Sequence, residues 1–293
     1  MKRYVVGLGE ALWDVLPTER KLGGAPANFA YHVAQTGFDA IAISAVGNDT
    51  LGDETLQCFK SKQLDYIMPR VEFPTGTVQV TVDAAGIPLY EIKRNVAWDH
   101  IPLTTEIIEV AKNCKAVCFG SLAQREDESR NTIEKFLDSV PNDCLRVFDI
   151  NIRQQFYTKQ LIENSLKKSD ILKINDEELE LIAPMLGYDQ DFPRNSRLEE
   201  HQIAVTQGVI HDYNLQMVVL TCGTNGSYII TSNEVLYRST PKVHVVDTVG
   251  AGDSFTGAFV ASLLKGDCLE EAHRKAVDTS AFVCTKSGAM PSY

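Results

Sequence analysis

The chain has no Cys-x-x-Cys pair, no long apolar run and no surplus of positive charge, and each absence removes a class of function. Its seven cysteines, Cys58, Cys114, Cys118, Cys144, Cys222, Cys268 and Cys284, are odd in number and scattered. That pattern suits neither a disulfide framework nor a zinc site, and reduced, mostly buried thiols are expected. No stretch approaches the roughly 20 apolar residues that span a bilayer. Met1-Lys2-Arg3 passes straight into an apolar strand interrupted by Gly7, Gly9 and Glu10, without the apolar core or cleavage site of a signal peptide. A cytoplasmic protein without membrane contact is the expectation. Basic residues number 28 against 39 acidic ones, a formal net charge of −11, which disfavours a nucleic-acid partner. A small phosphorylated ligand stays compatible, because backbone amides and a metal can neutralise it locally.

At 293 residues, with 44% hydrophobic and 23% charged residues, the chain has the composition of an ordinary globular protein with a sizeable core. Strand and helix patterns alternate. Strands are expected at Tyr4 to Leu8, Ile41 to Val46, Ala116 to Phe119, Arg146 to Ile150, Ile171 to Ile174, Met217 to Thr221 and Tyr228 to Thr231. Helices are expected at Phe29 to Thr36, Asp53 to Lys62, Glu106 to Asn113, Ser129 to Ser139, Asp176 to Ala183, Leu198 to Gln207 and Leu269 to Ser287. Such alternation argues for an α/β fold, a parallel-dominated sheet covered by helices on both faces. Two segments break the rhythm. Thr77 to Asp83 and Leu89 to Arg94, joined by the turn-rich Asp83-Ala84-Ala85-Gly86, read as an inserted hairpin suited to a lid or an oligomer contact. The polar stretch Gly187 to Arg197 reads as a surface loop.

The most informative stretch is Asp247-Thr248-Val249-Gly250-Ala251-Gly252-Asp253-Ser254-Phe255. Val243, Val245 and Val246 before it suit a strand, and Phe255, Ala258, Phe259 and Ala261 after it have helical spacing, so the turn is placed at a helix N-terminus. Unpaired N–H groups and the helix dipole favour an anion there. A carboxylate beside a phosphate is repelled unless it takes a proton, which an alcohol lying between the two would supply; Asp253 then reads as a base for phosphoryl transfer. The other reading is a capping aspartate in a structural glycine turn. Gly250, Gly252 and Gly257 give GxGxxxxG, which is neither a dinucleotide fingerprint nor a Walker loop. Further motifs fall at the ends of other strands, at Gly9-Glu10, Asp149 to Arg153, Asn175 to Glu178 and Cys222 to Gly226. Ligands bind at that edge of such sheets.

Gly23-Gly24-Ala25-Pro26-Ala27-Asn28, the hairpin, Asn175-x-x-Glu178 and the Asp247 to Asp253 turn occur in this order over nearly the whole chain. Together they resemble the ribokinase-like, or PfkB, family of carbohydrate kinases, and the wording from Gly23 to Asn28 is closest to fructokinases. The resemblance implies a single ribokinase-like domain over 1–293, a three-layer sandwich with a small β lid formed mainly by about 74–98 and parts of 10–22. It implies ATP-dependent transfer of the γ-phosphate to a primary sugar hydroxyl, with fructose giving fructose 6-phosphate as the leading substrate. Asp253 would be the general base, and the amides of Gly250, Ala251 and Gly252 the anion hole. Asp14, Gly24 and Asn28 would hold the sugar, with Arg94 and Arg153 as further contacts. Asn175, Glu178, Thr221, Gly223, Gly226 and Gly252 would line the nucleotide site, with Mg²⁺ held through water near Glu178. Asp247, Val249, Gly288 and Ser292 match a potassium site, and the lid's outer face would pair two copies into a homodimer.

Rival expectations are a kinase for ribose or for a sugar acid such as 2-keto-3-deoxygluconate, whose carboxylate Arg153 would meet, and a catalytically silent sugar- or nucleotide-binding protein on the same fold. Ile150 stands where the family usually has Pro, and Cys222 where Leu or Gly is common. Neither removes a functional group.

Overall fold

Short runs of β-branched and large apolar residues build the centre of the molecule, and their two faces feed two separate cores. The computed structural model describes residues 2–16, 19–82, 88–188 and 198–293. Among these, nine strands form one sheet in the order Val235–Arg238, Ser227–Ile230, Met217–Thr221, Ile171–Asn175, Leu145–Asp149, Cys114–Phe119, Tyr4–Leu8, Ala40–Ile43 and Asp65–Ile67. The strands from Met217–Thr221 to Asp65–Ile67 are parallel, and the two at the other edge are antiparallel.

Successive side chains point to opposite faces. Val6, Leu8, Val117, Phe119, Phe148, Leu172 and Leu220 pack on one side with the helices Thr105–Lys112, Asp127–Ser139, Lys159–Lys167, Asp176–Leu186 and Leu198–Tyr213. Val5, Ala116, Val147, Ile171 and Val219 pack on the other with Ala25–Ala34, Thr50–Ser61, Ala251–Lys265 and Leu269–Cys284. The result is the three-layer α/β arrangement that continuous apolar strands require, since both faces must be covered.

Strand order reverses between Tyr4–Leu8 and its neighbour Cys114–Phe119, and this opens a crevice beyond their carboxyl ends. A second sheet is rooted there. It has the order Arg20–Gly23, Leu12–Val15, Gly76–Val82 and Pro88–Ile92, and its Leu12–Val15 strand leaves the first central strand after only three residues. Where the chain returns from this sheet, the buried Arg125 guanidinium grips Asp99 at 2.7 and 2.8 Å and lies 4.0 Å from the Trp98 ring. This ion pair fixes the small sheet's root to the main body.

The last residues are also tied down. His32 sits in the helix Ala25–Ala34 with Nε2 2.8 Å from Ala289 O and Nδ1 2.7 Å from the Tyr293 hydroxyl. A carbonyl can only accept, so Nε2 carries the proton and Nδ1 accepts from Tyr293. Burial holds this imidazole neutral, its pKa lowered to about 4. Tyr31 and Lys62 donate to Pro291 O and Met290 O.

Several elements differ from the sequence expectation. Val243, Val245 and Val246 are exposed and irregular rather than a strand. Val246 N and Asp247 N donate to Cys284 O at 2.8 and 3.3 Å, so this stretch is bonded to the end of a helix while the sheet stops at Arg238. The first helix starts at Ala25, because Pro26 suits a helix's first turn. The helix Lys159–Lys167, capped by Thr158 Oγ1 on Leu161 N, was not anticipated. The final helix ends at Cys284, short of Ser287, and the one from Leu198 runs on to Tyr213. The Asp83-Ala84-Ala85-Gly86 connector, and all but the start of the Gly187 to Arg197 stretch, lie outside the described residues.

Candidate active site

The helix Ala251–Lys265 aims its N-terminus into the crevice, with Gly250 as its left-handed cap at φ 79°. A side chain at Gly250 would meet Ala289 at 2.6 Å, so both backbone angle and space require glycine. Ser254 N closes the first turn on Gly250 O, and Ala251 N donates to Thr248 O at 3.2 Å.

Asp253 lies within the first turn of this helix, half-buried, and its Oδ2 accepts from Asn28 Nδ2 at 2.7 Å. Burial, followed by the nearby charge of Asp149, raises its pKa to about 6; the Asn28 bond, Lys173 and Arg153 act the other way. Asn28 is not a helix cap. It sits inside the helix that begins at Ala25, almost fully buried, and its Oδ1 has no hydrogen-bond partner. A buried amide with one committed arm and one open arm is costly unless a ligand completes it.

Beneath Asp253 lies a charged layer that the strand patterns did not reveal. Lys173, in the strand Ile171–Asn175, donates to Asp149 Oδ1 at 3.1 Å, and Thr256 Oγ1 donates to Asp149 Oδ2 at 3.2 Å. Lys173 Nζ lies only 3.0 Å from where a β-carbon would stand on Gly252, so the buried ammonium backs the glycine turn. Burial would lower the Lys173 pKa, but Asp149, Glu178 and Asp253 more than offset this and keep it protonated. A lone lysine within the apolar Ile171-Leu172-Lys173-Ile174 run was the available signal.

Glu10, in the Gly9-Glu10 motif at the end of the first strand, is brought into the site as a buried carboxyl. Its Oε1 accepts from Ala25 N at 3.3 Å and Asn151 Nδ2 at 3.4 Å, while its buried Oε2 has no partner. Burial raises its pKa to about 7, and Asp253 adds to the rise. Gly24, at φ 116°, permits the tight crossing here, since a β-carbon would stand 2.3 Å from Glu10 O. Asp14 faces the crevice from the small sheet; burial raises its pKa to about 6, with Arg153 and Lys21 opposing.

The remaining candidates ring this centre. Glu178 is buried and reciprocally caps its helix with Asn175, taking Asn175 N at 3.0 Å on Oε2 and Ile152 N at 2.9 Å on Oε1. Each oxygen retains a lone pair, which fits a water-mediated contact to Mg²⁺ carried on nucleotide phosphates better than a direct chelate. Among the described residues no cluster of three or more metal-binding side chains occurs. Thr221, Gly223 and Gly226 form the end of a central strand and its following turn; Gly223 has φ 53°, and a side chain at Gly226 would strike Arg238 O at 2.5 Å. Arg153 is exposed, donates to Ile152 O, and its charge lowers the pKa of Glu10, Asp14, Asp253 and Glu178 alike. Arg94 stands further out, with its guanidinium 4.8 Å from the Phe156 ring. Asp247 accepts from Val249 N at 3.0 Å, from Gly288 N at 3.0 Å and from Lys21 Nζ at 3.1 Å; Ser292 is exposed.

A half-buried carboxylate titrating near neutrality, at a helix N-terminus and beside an open amide, can take a proton from an alcohol while the turn receives an anion. The sequence profile of the pfkB family carbohydrate kinases matches residues 5–293. The chain is a pfkB-family carbohydrate kinase. It is 28% identical to the ATP-dependent 6-phosphofructokinase of Thermoanaerobacterium thermosaccharolyticum, over 99% of this chain and 90% of that one. It is also 28% identical to the fructokinase of Salmonella typhimurium, over 99% and 96% of the two chains. The structure of an uncharacterized sugar kinase from Pyrococcus horikoshii superposes with a TM-score of 0.81 at 26% identity, covering 98% of this chain and 93% of that one. That Pyrococcus protein has also been solved in complex with ATP. The pfkB-family chain is therefore an ATP-dependent sugar kinase with the ribokinase-like fold, a mostly parallel sheet between helical layers plus a separate small sheet. No described helix is long and apolar enough to cross a membrane.

Proposed function

We propose that this kinase transfers the γ-phosphate of ATP to the primary 6-hydroxyl of fructose, with Asp253 as general base. The observation that carries the reading is the Asn28–Asp253 pair at the N-terminus of the Ala251–Lys265 helix. As the sugar oxygen attacks the γ-phosphorus, its proton passes to Asp253. The bond from that phosphorus to the β–γ bridging oxygen breaks, and ADP leaves. The amides of Gly250, Ala251 and Gly252 receive charge on the transferring group, Ala251 N giving up its bond to Thr248 O, and Lys173 behind them adds a fixed positive charge. Asn28, Asp14 and Gly24 orient the sugar. Asn175, Glu178, Thr221, Gly223 and Gly226 form the nucleotide side; Mg²⁺, when bound, neutralises the phosphates beside Glu178. The small sheet closes over the sugar and excludes water, sparing ATP from hydrolysis. The same reading places the enzyme in the cytoplasm and pairs two copies through that sheet, a pairing that a monomeric mass in solution would refute.

Arg153 favours a second substrate class. Its exposed guanidinium acts on Glu10, Asp14, Glu178 and Asp253, which suits an anionic sugar such as 2-keto-3-deoxygluconate or a sugar phosphate of the kind the Thermoanaerobacterium relative's name implies. ATP turnover with fructose, fructose 6-phosphate, 2-keto-3-deoxygluconate, ribose, mannose, glucose and adenosine separates the readings. Fructose is expected to give the highest kcat/KM. A preference for the anionic sugars that Arg153→Met abolishes would replace it, and no sugar-dependent turnover at all would return the chain to a binding role.

The pH profile follows from the same groups. Asp253 acts only when ionised, so kcat/KM is expected to fall about tenfold per unit below pH about 6 and to level off above it. Glu10, with its pKa near about 7, gains its proton first and relieves repulsion on Asp253, so the limb should be broadened rather than sharp. A profile flat from about pH 5 to about pH 8 would remove Asp253 from the role of base.

A further inference from the structure

The residues matching a potassium site are already served by a side chain of the protein. Lys21 lies on the strand Arg20–Gly23 of the small sheet, opposite Asp14. Its Nζ is 3.1 Å from Asp247 Oδ2, and its Cδ passes 4.0 Å from where a β-carbon on Gly288 would stand. Asp247 Oδ2 also accepts from Gly288 N, and Oδ1 accepts from Val249 N. Ser292 faces solvent. The donor set for a potassium ion is therefore incomplete: its only carboxylate is bonded to three N–H donors, one of them a cation.

We infer that Lys21 is a tethered replacement for the monovalent cation, so that the kinase works without potassium and its anion-hole turn is set by a charge carried on the small sheet. The inference rests on the sugar-kinase reading of that turn. A free ion binds the turn whatever the small sheet does. An ammonium on that sheet reaches Asp247 only when the sheet is seated, so placing the sheet and shaping the turn become one event. Lys21 acts through Asp247 and is a positioning residue.

Turnover of the unmutated protein in potassium chloride and in tetramethylammonium chloride at equal ionic strength is expected to be the same. Lys21→Met, which keeps the stem and removes the charge, is expected to lose about tenfold or more in tetramethylammonium and to recover in potassium. Lys21→Arg keeps the charge and should remain indifferent to potassium. Melting temperatures in the two salts read the site without any turnover: only Lys21→Met should be raised by potassium. Potassium activation of the unmutated protein would overturn the inference without any variant. So would a folded Lys21→Met that keeps full turnover in tetramethylammonium, or one whose loss potassium does not repair. If the unmutated protein turns over no sugar, the sugar-kinase reading fails while the melting comparison still decides the cation site.

Discussion

Asp253→Asn is expected to lower sugar-dependent ATP turnover by roughly 10²–10⁴-fold or more while leaving the fold intact. The amide is isosteric, and its oxygen can still accept from Asn28 Nδ2, so the helix start and the sugar side chains keep their places. What disappears is a group able to hold the hydroxyl proton. The stability effect has the opposite sign to the activity effect. The folded-state pKa of Asp253 is raised, to about 6, chiefly by burial and by Asp149. Folding therefore disfavours its ionised form, and the native state gains stability from this group as pH falls through that value rather than as it rises. At neutral pH the amide removes this strain, and the variant should melt no lower than the unmutated protein. Turnover within tenfold of the parent would reassign Asp253 to capping, and a lower melting temperature would show that its charge supports the fold.

Lys173→Met should be the most damaging single change in the site's foundation. Only 10% of the Lys173 side chain and 6% of Asp149 is exposed. Methionine fills the volume of the lysine stem but leaves the Asp149 carboxylate with Thr256 and no cation. Breaking a buried pair in this way typically costs about 3–5 kcal/mol. Lys173→Met/Asp149→Asn removes both charges and is expected to recover much of that loss, which a denaturant titration of the two singles and the double would measure. Kinetics adds a second reading. Lys173 lowers the Asp253 pKa and Asp149 raises it. The acid limb of kcat/KM should therefore move to higher pH in Lys173→Met and to lower pH in Asp149→Asn. Limbs that stay put in both would confine the pair to a structural part.

The central sheet was legible because parallel strands covered on both faces are nearly all apolar, and residues such as Val5-Val6 or Met217 to Leu220 admit few other readings. The same rule misled at Val243 to Val246. β-propensity records a fit to a pleated, half-buried surface, and among the described residues this stretch pairs with no strand, Val246 N and Asp247 N meeting the carbonyl of Cys284 instead. Asp253 and the glycine turn were legible because their chemistry is local, a small-residue corner opening a helix. Lys173 and Lys21 were not, because each draws its significance from partners far along the chain. Lys173 meets Asp149 across adjacent strands, and Lys21 meets Asp247 from the other end of the sequence. Spacing along a sequence carries no information about such pairs; sheet order does.

The tie between His32 and Ala289 bears on when the corner in front of Asp253 takes its shape during synthesis. Domains begin folding from the N-terminus as they are synthesised, and the strands and helices up to Ile230 contain most of the core. Yet Gly250 takes its left-handed turn against Ala289, and Ala289 is held there by His32. A nascent chain thus carries Asp253 well before it carries the wall that shapes the corner in front of it. The corner that would face a transferring phosphoryl group is thus completed only once a segment almost forty residues further along the sequence has packed against it.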